Sequence, residues 1–299
     1  MSKPLPRSIQ EYLDQLHAEL QGADPALIQD ALYDAEEYIR GEMDSNRGKT
    51  EEQVLAAIAA SYGAPEEVAE AYRNTEAKVQ QALRTPRPKK RETALGKFFG
   101  VYADPRAYTS LFYMLLAFVT GIFYLTWTVA GLGMSAGFMV LIIGIPFLLV
   151  YLGSTRLISF IEGRIVEVML GVRMPRRPVH PGGGSRPMKQ RIIEIFTDRR
   201  TWSTFLYMLL QFGLGTLYFC VIVTWASLAL SMILAPFEFW LPNEIWFSID
   251  GVSFHNVPWY VTPFMSALGV ILLTGLLHFA KGVGWLHGHL AKHLLVMAD

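Results

Sequence analysis

The sequence predicts an all-α membrane protein, in which a small helical bundle precedes four transmembrane helices arranged as two parallel repeats. Composition is the first indication, because 52% of the 299 residues are hydrophobic, which exceeds the share in ordinary soluble chains. Charge is the second: 49 consecutive residues between Arg106 and Arg156 contain no Asp, Glu, Lys or Arg. The third is a duplication, since Asp104–Leu125 and Asp198–Phe219 are identical at nine of 22 positions.

Residues 1–83 predict the small bundle of four short helices. Ser8, Asp24 and Thr50 each precede an amphipathic stretch and are placed as N-cap side chains. A fourth helix is expected after Gly63. The segment carries seven basic and 16 acidic residues, a net charge of −9, so it is expected to be repelled by anionic lipid and free to meet a partner.

The charge-free tracts predict four spans, because one span needs about 20 apolar residues. Glycines in residues 131–137 are expected to break the first tract into two helices, and Pro146 to kink the second of them. An amphipathic helix over 156–172, lying in the plane of the inner leaflet, and a matching one after the fourth span complete the repeats. The predicted spans are about 108–130, 137–155, 203–234 and 260–280.

Small residues along the spans would allow close helix packing, and formation of a homo-oligomer stays an open expectation.

These elements divide the chain into five segments. The segments are an acidic helical domain (1–83), a basic linker with an amphipathic lead-in (84–106), the first membrane repeat (107–172), a flexible basic linker (173–191) and the second repeat with an external hairpin (192–299).

Lys and Arg predict the orientation of the chain. Seven lie in residues 84–106 and ten in 156–200, whereas residues 131–137 and 236–260 contain none. Positively charged loops stay on the cytoplasmic side, so both termini are expected in the cytoplasm of a bacterium, with the spans in its inner membrane. The basic flank is expected to lie against anionic lipids of the inner leaflet. Residues 174–188 are expected to form a solvated tether between the repeats, and contact of this linker with anionic lipid or a partner stays open.

Two surfaces are candidates for recognition. Residues 236–259 form the only sizeable external segment, and Asp-Gly between two alternating runs predicts a β-hairpin there. Glu238, Trp246 and Asp250 are the candidate sensing residues, although the aromatic residues also fit an interfacial belt. Tyr38 and Tyr72 are the candidate surface for a cytoplasmic partner.

Catalysis, cofactor binding and metal binding are not expected. The sequence has no phosphate-binding glycine loop and no nucleophile motif, and Cys220 is its only cysteine. His289 and His293 are spaced for one ion, but no Glu-x-x-His motif accompanies them. Gln211 and His278 are the main polar groups within the spans, which argues against ion transport. Direct nucleic-acid binding is not expected of an acidic domain.

Three motifs resemble a known family of small helical modules. They are Tyr12-Leu-x-x-Leu16, Asp34-Ala-Glu-Glu-Tyr-Ile39 and Tyr62-Gly-Ala-Pro-Glu-Glu-Val-Ala69, and together they resemble the HAAS domain over about residues 7–75. That resemblance implies a signalling-associated module that precedes membrane segments, with a PadR-type transcription regulator as a partner. The four-span remainder is similar to the bacterial "Putative sensor" membrane domain, which elsewhere heads histidine kinases. No kinase domain follows the spans, so kinase activity is not expected.

The sequence therefore favours a non-catalytic membrane sensor that couples a membrane or envelope signal to a cytoplasmic protein. Two other functions stay open. One is a small transporter or lipid-handling protein that uses a cleft between the repeats, and the other is a membrane scaffold.

Overall fold

The computed structural model describes residues 6–83, 93–140, 144–177, 197–240, 248–249, 252–253 and 258–296. The chain divides into two compact units. The first unit comprises residues 1–84, 141–204 and 288–299, and the second unit comprises residues 85–140 and 205–287.

Four helices form an N-terminal bundle within the first unit. The predicted caps are confirmed: the Ser8 hydroxyl accepts a hydrogen bond from the Glu11 N–H at 3.1 Å, and Asp24 and Thr50 cap the next two helices. Each cap satisfies a backbone N–H that has no partner inside its helix. The helices are α1 (Ile9–Glu19), α2 (Pro25–Ser45), α3 (Glu51–Ser61) and α4 (Pro65–Leu83).

The core of the bundle lies between these four helices. Tyr12 reaches through the core, and its hydroxyl donates a hydrogen bond to the Gly63 carbonyl at 2.9 Å. Gly63 has a φ of +116°, a conformation that disfavours any side chain at the end of α3. The largest fully buried side chains of this core are Tyr12, Leu16, Leu20, Ile39, Leu55 and Ile58.

Four further helices are long and apolar enough, among the described residues, to cross a membrane. A short helix, α5 (Ala94–Phe99), and a 3-10 helix, Gly100–Ala103, precede them. The chain is thus a multi-pass membrane protein. The four are α6 (Pro105–Phe138), α7 (Gly144–Leu170), α8 (Arg199–Leu234) and α9 (Thr262–Leu295).

The predicted break at residues 131–137 is wrong, because α6 continues through all of its glycines to Phe138. Glycine weakens a helix by about 1 kcal/mol per residue in water. In an apolar surrounding, however, the helix is the arrangement that satisfies each backbone N–H and C=O, so glycine does not end it. Pro146 lies in the first turn of α7, where a proline leaves no hydrogen bond unmade, so its position gives no cause for the predicted kink.

The predicted in-plane helix over 156–172 is not a separate element. It is the second half of α7, which runs without interruption to Leu170, and α9 likewise runs to Leu295. Glu162 and Glu167, two of the charged residues in this half of α7, are buried. The charged residues thus mark a change of surroundings along one helix, not the start of a new one.

A short antiparallel pairing lies where the sequence predicts a hairpin. Ser248–Ile249 pairs with Val252–Ser253, with Ile249 opposite Val252. Asp250 and Gly251, where the sequence predicts the turn, lie outside the described residues.

The second unit contains a reciprocal contact between the two copies of the duplicated segment. A Cβ atom placed on Gly121 would lie 2.8 Å from the Gln211 carbonyl oxygen, and one placed on Gly215 would collide with the Ala117 carbonyl oxygen. Gly121 and Ala117 occupy the same repeat positions as Gly215 and Gln211. Each copy therefore sets its glycine against the same backbone site of the other, and α6 and α8 approach too closely for a side chain.

This contact predicts that Gly215→Ala destabilises the protein, whereas Gly213→Ala does not. The new methyl group at position 215 would force the two backbones apart, at a cost of roughly 1–3 kcal/mol. Gly213 lies on the same helix, and no atom of the described residues lies within 4 Å of its added Cβ, so its substitution should be neutral or slightly stabilising. Thermal unfolding in detergent measures both variants, and equal melting temperatures would contradict the close approach.

The bundle is predicted to lose stability above about pH 10, the usual pKa of tyrosine. Burial raises the pKa of Tyr12, Tyr62 and Tyr72, so these phenols stay protonated when folded and ionise when unfolded. Their stabilising contribution is complete below pH 10 and is lost as the pH rises toward their folded values, by up to about 1.4 kcal/mol per pH unit for each group.

Protection of residues 9–76 from an alkaline protease, followed from pH 8 to 11.5 in the intact protein, measures this loss. Tyr72→Phe removes one ionisable group and should make the decline shallower. Protection that stays constant to pH 11.5 would contradict the prediction.

Candidate functional site

The Asp30 carboxylate on α2 is the centre of a buried hydrogen-bond network in the first unit. One of its oxygens accepts hydrogen bonds from the backbone N–H groups of Arg176 and Arg177, each at 2.7 Å. The other accepts from the Arg173 guanidinium at 2.8 Å. Only 6% of Asp30 is exposed, so these donors replace the water that a carboxylate would otherwise bind.

The Arg173 guanidinium joins the N-terminal bundle to the end of α7. It is 8% exposed and pairs with three carboxylates: Asp30 on α2, Glu76 on α4 at 3.1 Å, and Glu167 on α7 at 3.4 Å. Two of these partners belong to the bundle and the third to an apolar helix. A single side chain therefore connects a polar domain to a candidate membrane span.

The charges in this network depend on one another. Burial works against the charged guanidinium, but hydrogen bonds and charge from Glu76 and Asp30 raise the pKa of Arg173. Burial raises the pKa of Asp30, and the N–H groups of Arg177 and Arg176 with the Arg173 charge oppose that shift. Removal of Arg173 would take away the cation shared by Asp30, Glu76 and Glu167, which are all buried.

A second arginine repeats the arrangement at the next turn of α2. Arg177 pairs with Asp34 at 2.7 Å, and its guanidinium lies over the Tyr33 ring at 5.8 Å from the ring centroid. Its carbonyl oxygen accepts a hydrogen bond from the Gln29 side chain at 2.6 Å. Residues three and four positions apart, such as Asp30 with Tyr33 and Asp34, lie side by side on a helix surface. We refer to Gln29, Asp30, Tyr33, Asp34 and Glu76 as the arginine-binding face.

The segment that carries these arginines, residues 171–177, is named the strap. It follows the end of α7 at Gly171, whose φ of +70° turns the chain out of the helix. Met174 of the strap is fully buried, and a Cβ atom placed on Gly163 would lie 3.7 Å from its Cβ. Arg164 donates a hydrogen bond to the Met174 carbonyl at 3.0 Å. The sequence after α7 thus directs the strap onto the bundle.

Two more contacts attach the bundle to other parts of the first unit. Lys292, near the end of α9, pairs with Asp24 at 2.5 Å. Arg200, at the start of α8, donates to the Gln29 side chain at 3.1 Å. The bundle therefore contacts basic residues from three separate stretches of the chain.

The second unit contains a buried polar cluster around His287. Its two ring nitrogens lie 3.2 Å from the hydroxyls of Tyr207 and Tyr218. A neutral imidazole has one donor and one acceptor nitrogen, so one tyrosine donates to His287 and the other accepts from it. The Tyr113 hydroxyl lies 3.4 Å from the Tyr207 hydroxyl and 3.4 Å from the amide nitrogen of Gln211. Such a network fixes the relative positions of its helices.

The predicted partner residues Tyr38 and Tyr72 are half-buried against the bundle core. Tyr38 stacks on Tyr62 with ring centroids 4.4 Å apart. The Tyr72 hydroxyl donates to Asp34 at 2.8 Å, and this hydrogen bond helps to hold the Asp34 carboxylate of the arginine-binding face in position. A role for either tyrosine in partner binding stays a prediction.

Of the predicted external sensing residues, Trp246 and Asp250 lie outside the described residues. The backbone of Glu238 belongs to a 3-10 helix, Ala235–Trp240, and its side chain is outside the described set. Their role in sensing stays a prediction.

The sequence identified neither Asp30 nor Arg173. The two are 143 residues apart, and each lies in a run of like charges that reads as a solvated surface. The one local signal is the glycine that ends α7 directly before a cluster of arginines. His287 lies close to His289 and His293 in the sequence, after the last predicted span. The described residues hold no group of three or more His, Cys, Asp or Glu that could bind a metal ion.

Comparison with known proteins gives the family. The family model described as "Putative sensor" matches residues 113–295, more than half of the chain, and the chain belongs to that family. The match includes the strap and the cluster around His287, but not the N-terminal bundle. No curated protein and no solved structure matches the chain.

The network predicts that Arg173→Met releases the strap, whereas Arg176→Met has little effect. Loss of the Arg173 charge breaks its buried ion pairs with Asp30, Glu76 and Glu167, and breaking a buried pair by removing one partner costs about 3–5 kcal/mol. The side chain of Arg176 is 50% exposed and only 3.7 Å from Glu167, and such pairs contribute about 0–1 kcal/mol.

Hydrogen exchange of the N–H groups at positions 176 and 177 reports strap docking directly, because Asp30 accepts both hydrogen bonds. Exchange at these sites should accelerate more than tenfold in Arg173→Met, while that of α1 stays unchanged. Equal protection in the two variants would show that Arg173 does not hold the strap.

Proposed function

We propose that this chain is a non-catalytic membrane sensor that couples a membrane or envelope signal to a cytoplasmic protein by docking and releasing its N-terminal bundle. The observation that carries the proposal is the buried network around Arg173, which connects α2 and α4 of the bundle to α7. Membership of the sensor family supports it.

The network suits a switch because it has two favourable states. With all partners in place, the desolvation of the charges is offset by their mutual attraction and hydrogen bonds. With the strap fully released, water solvates the same groups. An intermediate displacement leaves charges buried and unpaired, so it is disfavoured.

A signal that shifts or tilts α7 would act on this balance directly. Glu167 lies in the last turn of α7, and Gly171 is the first residue after it, so both move with the helix. A ligand or a change of the bilayer can alter the docked fraction only as far as it favours one position of α7 over the other.

The proposal places the bundle and the strap in the bacterial cytoplasm, with the spans in the inner membrane. The excess of Lys and Arg in residues 84–106 and 156–200 supports this orientation. The partner is then a cytosolic protein, and the resemblance of the bundle to the HAAS domain favours a transcription regulator of the PadR type. The scarcity of catalytic motifs supports signalling by binding alone.

Transcript profiling of cells that carry strap variants tests the proposal. Arg173→Glu should release the strap and produce a constitutive change in a defined set of transcripts. Arg176→Glu makes the same charge change on the exposed part of the strap and should resemble wild type. Arg173→Lys should lie between them, because a lysine cannot reproduce the planar, multidentate geometry of arginine.

Membrane-fraction immunoblots control for the abundance of each variant. The proposal fails if Arg173→Glu leaves the transcripts of wild type unchanged, or if Arg176→Glu changes the same set.

A further inference from the structure

We propose that the arginine-binding face is the site at which the bundle recognises its partner, and that the strap is an internal ligand which occupies this site until released. The partner would present an arginine within a short extended segment. This inference rests on the proposed function and specifies the chemistry of the partner.

The contacts of the strap are those of a bound peptide. Asp30 accepts two successive backbone N–H groups and one guanidinium, and the Gln29 side chain donates to a strap carbonyl. The strap is neither helix nor strand, so its backbone groups are available for such contacts. Backbone donors are common to every polypeptide, and another segment with the same arginine could therefore take its place.

The side-chain contacts select arginine over lysine. Arg173 presents separate nitrogens to Asp30 and Glu76, which a single ammonium group cannot do with the same geometry. Arg177 adds a charge pair with Asp34 and a contact with the face of the Tyr33 ring. Two arginine positions are thus defined on one surface.

The bundle retains most of this site without the membrane helix. Of the three carboxylates around Arg173, Asp30 and Glu76 belong to the bundle, and only Glu167 belongs to α7. Residues 1–83 carry a net charge of −9, so an emptied face attracts cations. A partner competes with the strap for this face. The apparent association constant of the partner is its intrinsic association constant multiplied by the fraction of molecules in which the strap is released. Release of the strap therefore increases partner binding without any change in the face itself.

A labelled peptide of sequence Gly-Val-Arg-Met-Pro-Arg-Arg, copied from the strap, tests the inference. Its binding is measured by fluorescence anisotropy to the full chain in nanodiscs of zwitterionic lipid, which minimises binding to the bilayer. Arg173→Ala/Arg177→Ala weakens the internal strap, and this opened protein should bind the peptide at least about tenfold more tightly than wild type, a difference of about 1.4 kcal/mol.

Two controls define the site. A peptide with its first and last arginines replaced by lysine keeps the charge and should bind the opened protein at least about tenfold more weakly, by the same conversion. Asp30→Asn in the opened protein should also reduce binding, because it removes the charge that receives the guanidinium. Arg177→Ala alone, which leaves Arg173 in place, should increase the affinity for the peptide by a smaller factor. This single variant keeps the test decisive if the double variant does not fold.

The inference is overturned if the opened protein binds no more tightly than wild type, if the lysine peptide binds equally well, or if Asp30→Asn has no effect. Failure of the proposed function is distinguishable. Peptide binding that behaves as expected, together with unchanged transcripts in Arg173→Glu, would refute the coupling and retain the recognition face. The opposite pair of results would refute the recognition face and retain the coupling.

Discussion

The pairing of Asp30 with Arg173 is the interaction on which the first unit depends. Two opposite charges withdrawn from water carry a desolvation penalty that their attraction offsets only when every remaining donor and acceptor is filled. Asp30 meets this condition with two strap N–H groups, and Arg173 meets it with Glu76 and Glu167. The turn at Gly171 and the burial of Met174 are arrangements that bring the strap to this position. A contact held this way is specific, and it is also sensitive to small displacements.

The second unit is held together by different means. Its polar cluster consists of tyrosines, an amide and His287, and its helices approach each other through glycine. The duplication has diverged at this point: Ala117 in the first copy corresponds to Gln211 in the second, and the Gln211 amide donates to Tyr113. The repeated sequence therefore supplies the helix contact and the pair of equivalent tyrosines, Tyr113 and Tyr207, and a difference between the copies adds the hydrogen bond from Gln211.

Sequence reasoning succeeded where the deciding interactions are local. The caps at Ser8, Asp24 and Thr50 depend on residues at most three positions away, and the number of apolar helices follows from the charge-free tracts. It failed at residues 131–137 because the tendency of glycine to end helices was taken from aqueous surroundings. It missed the pairing of Asp30 with Arg173 because no periodicity connects residues 143 positions apart.

The arginines of the strap contribute both to the orientation of the chain in the membrane and to the docking of the bundle. The whole chain has a formal net charge of zero, yet residues 1–83 are strongly acidic and the strap is basic. Arginines such as Arg173 and Arg177 belong to the excess that favours retention on the cytoplasmic side. They also fill the arginine-binding face, which is possible only if the bundle lies on the same side of the bilayer as the strap. The same side chains thus favour one orientation of the chain and require the bundle to share it.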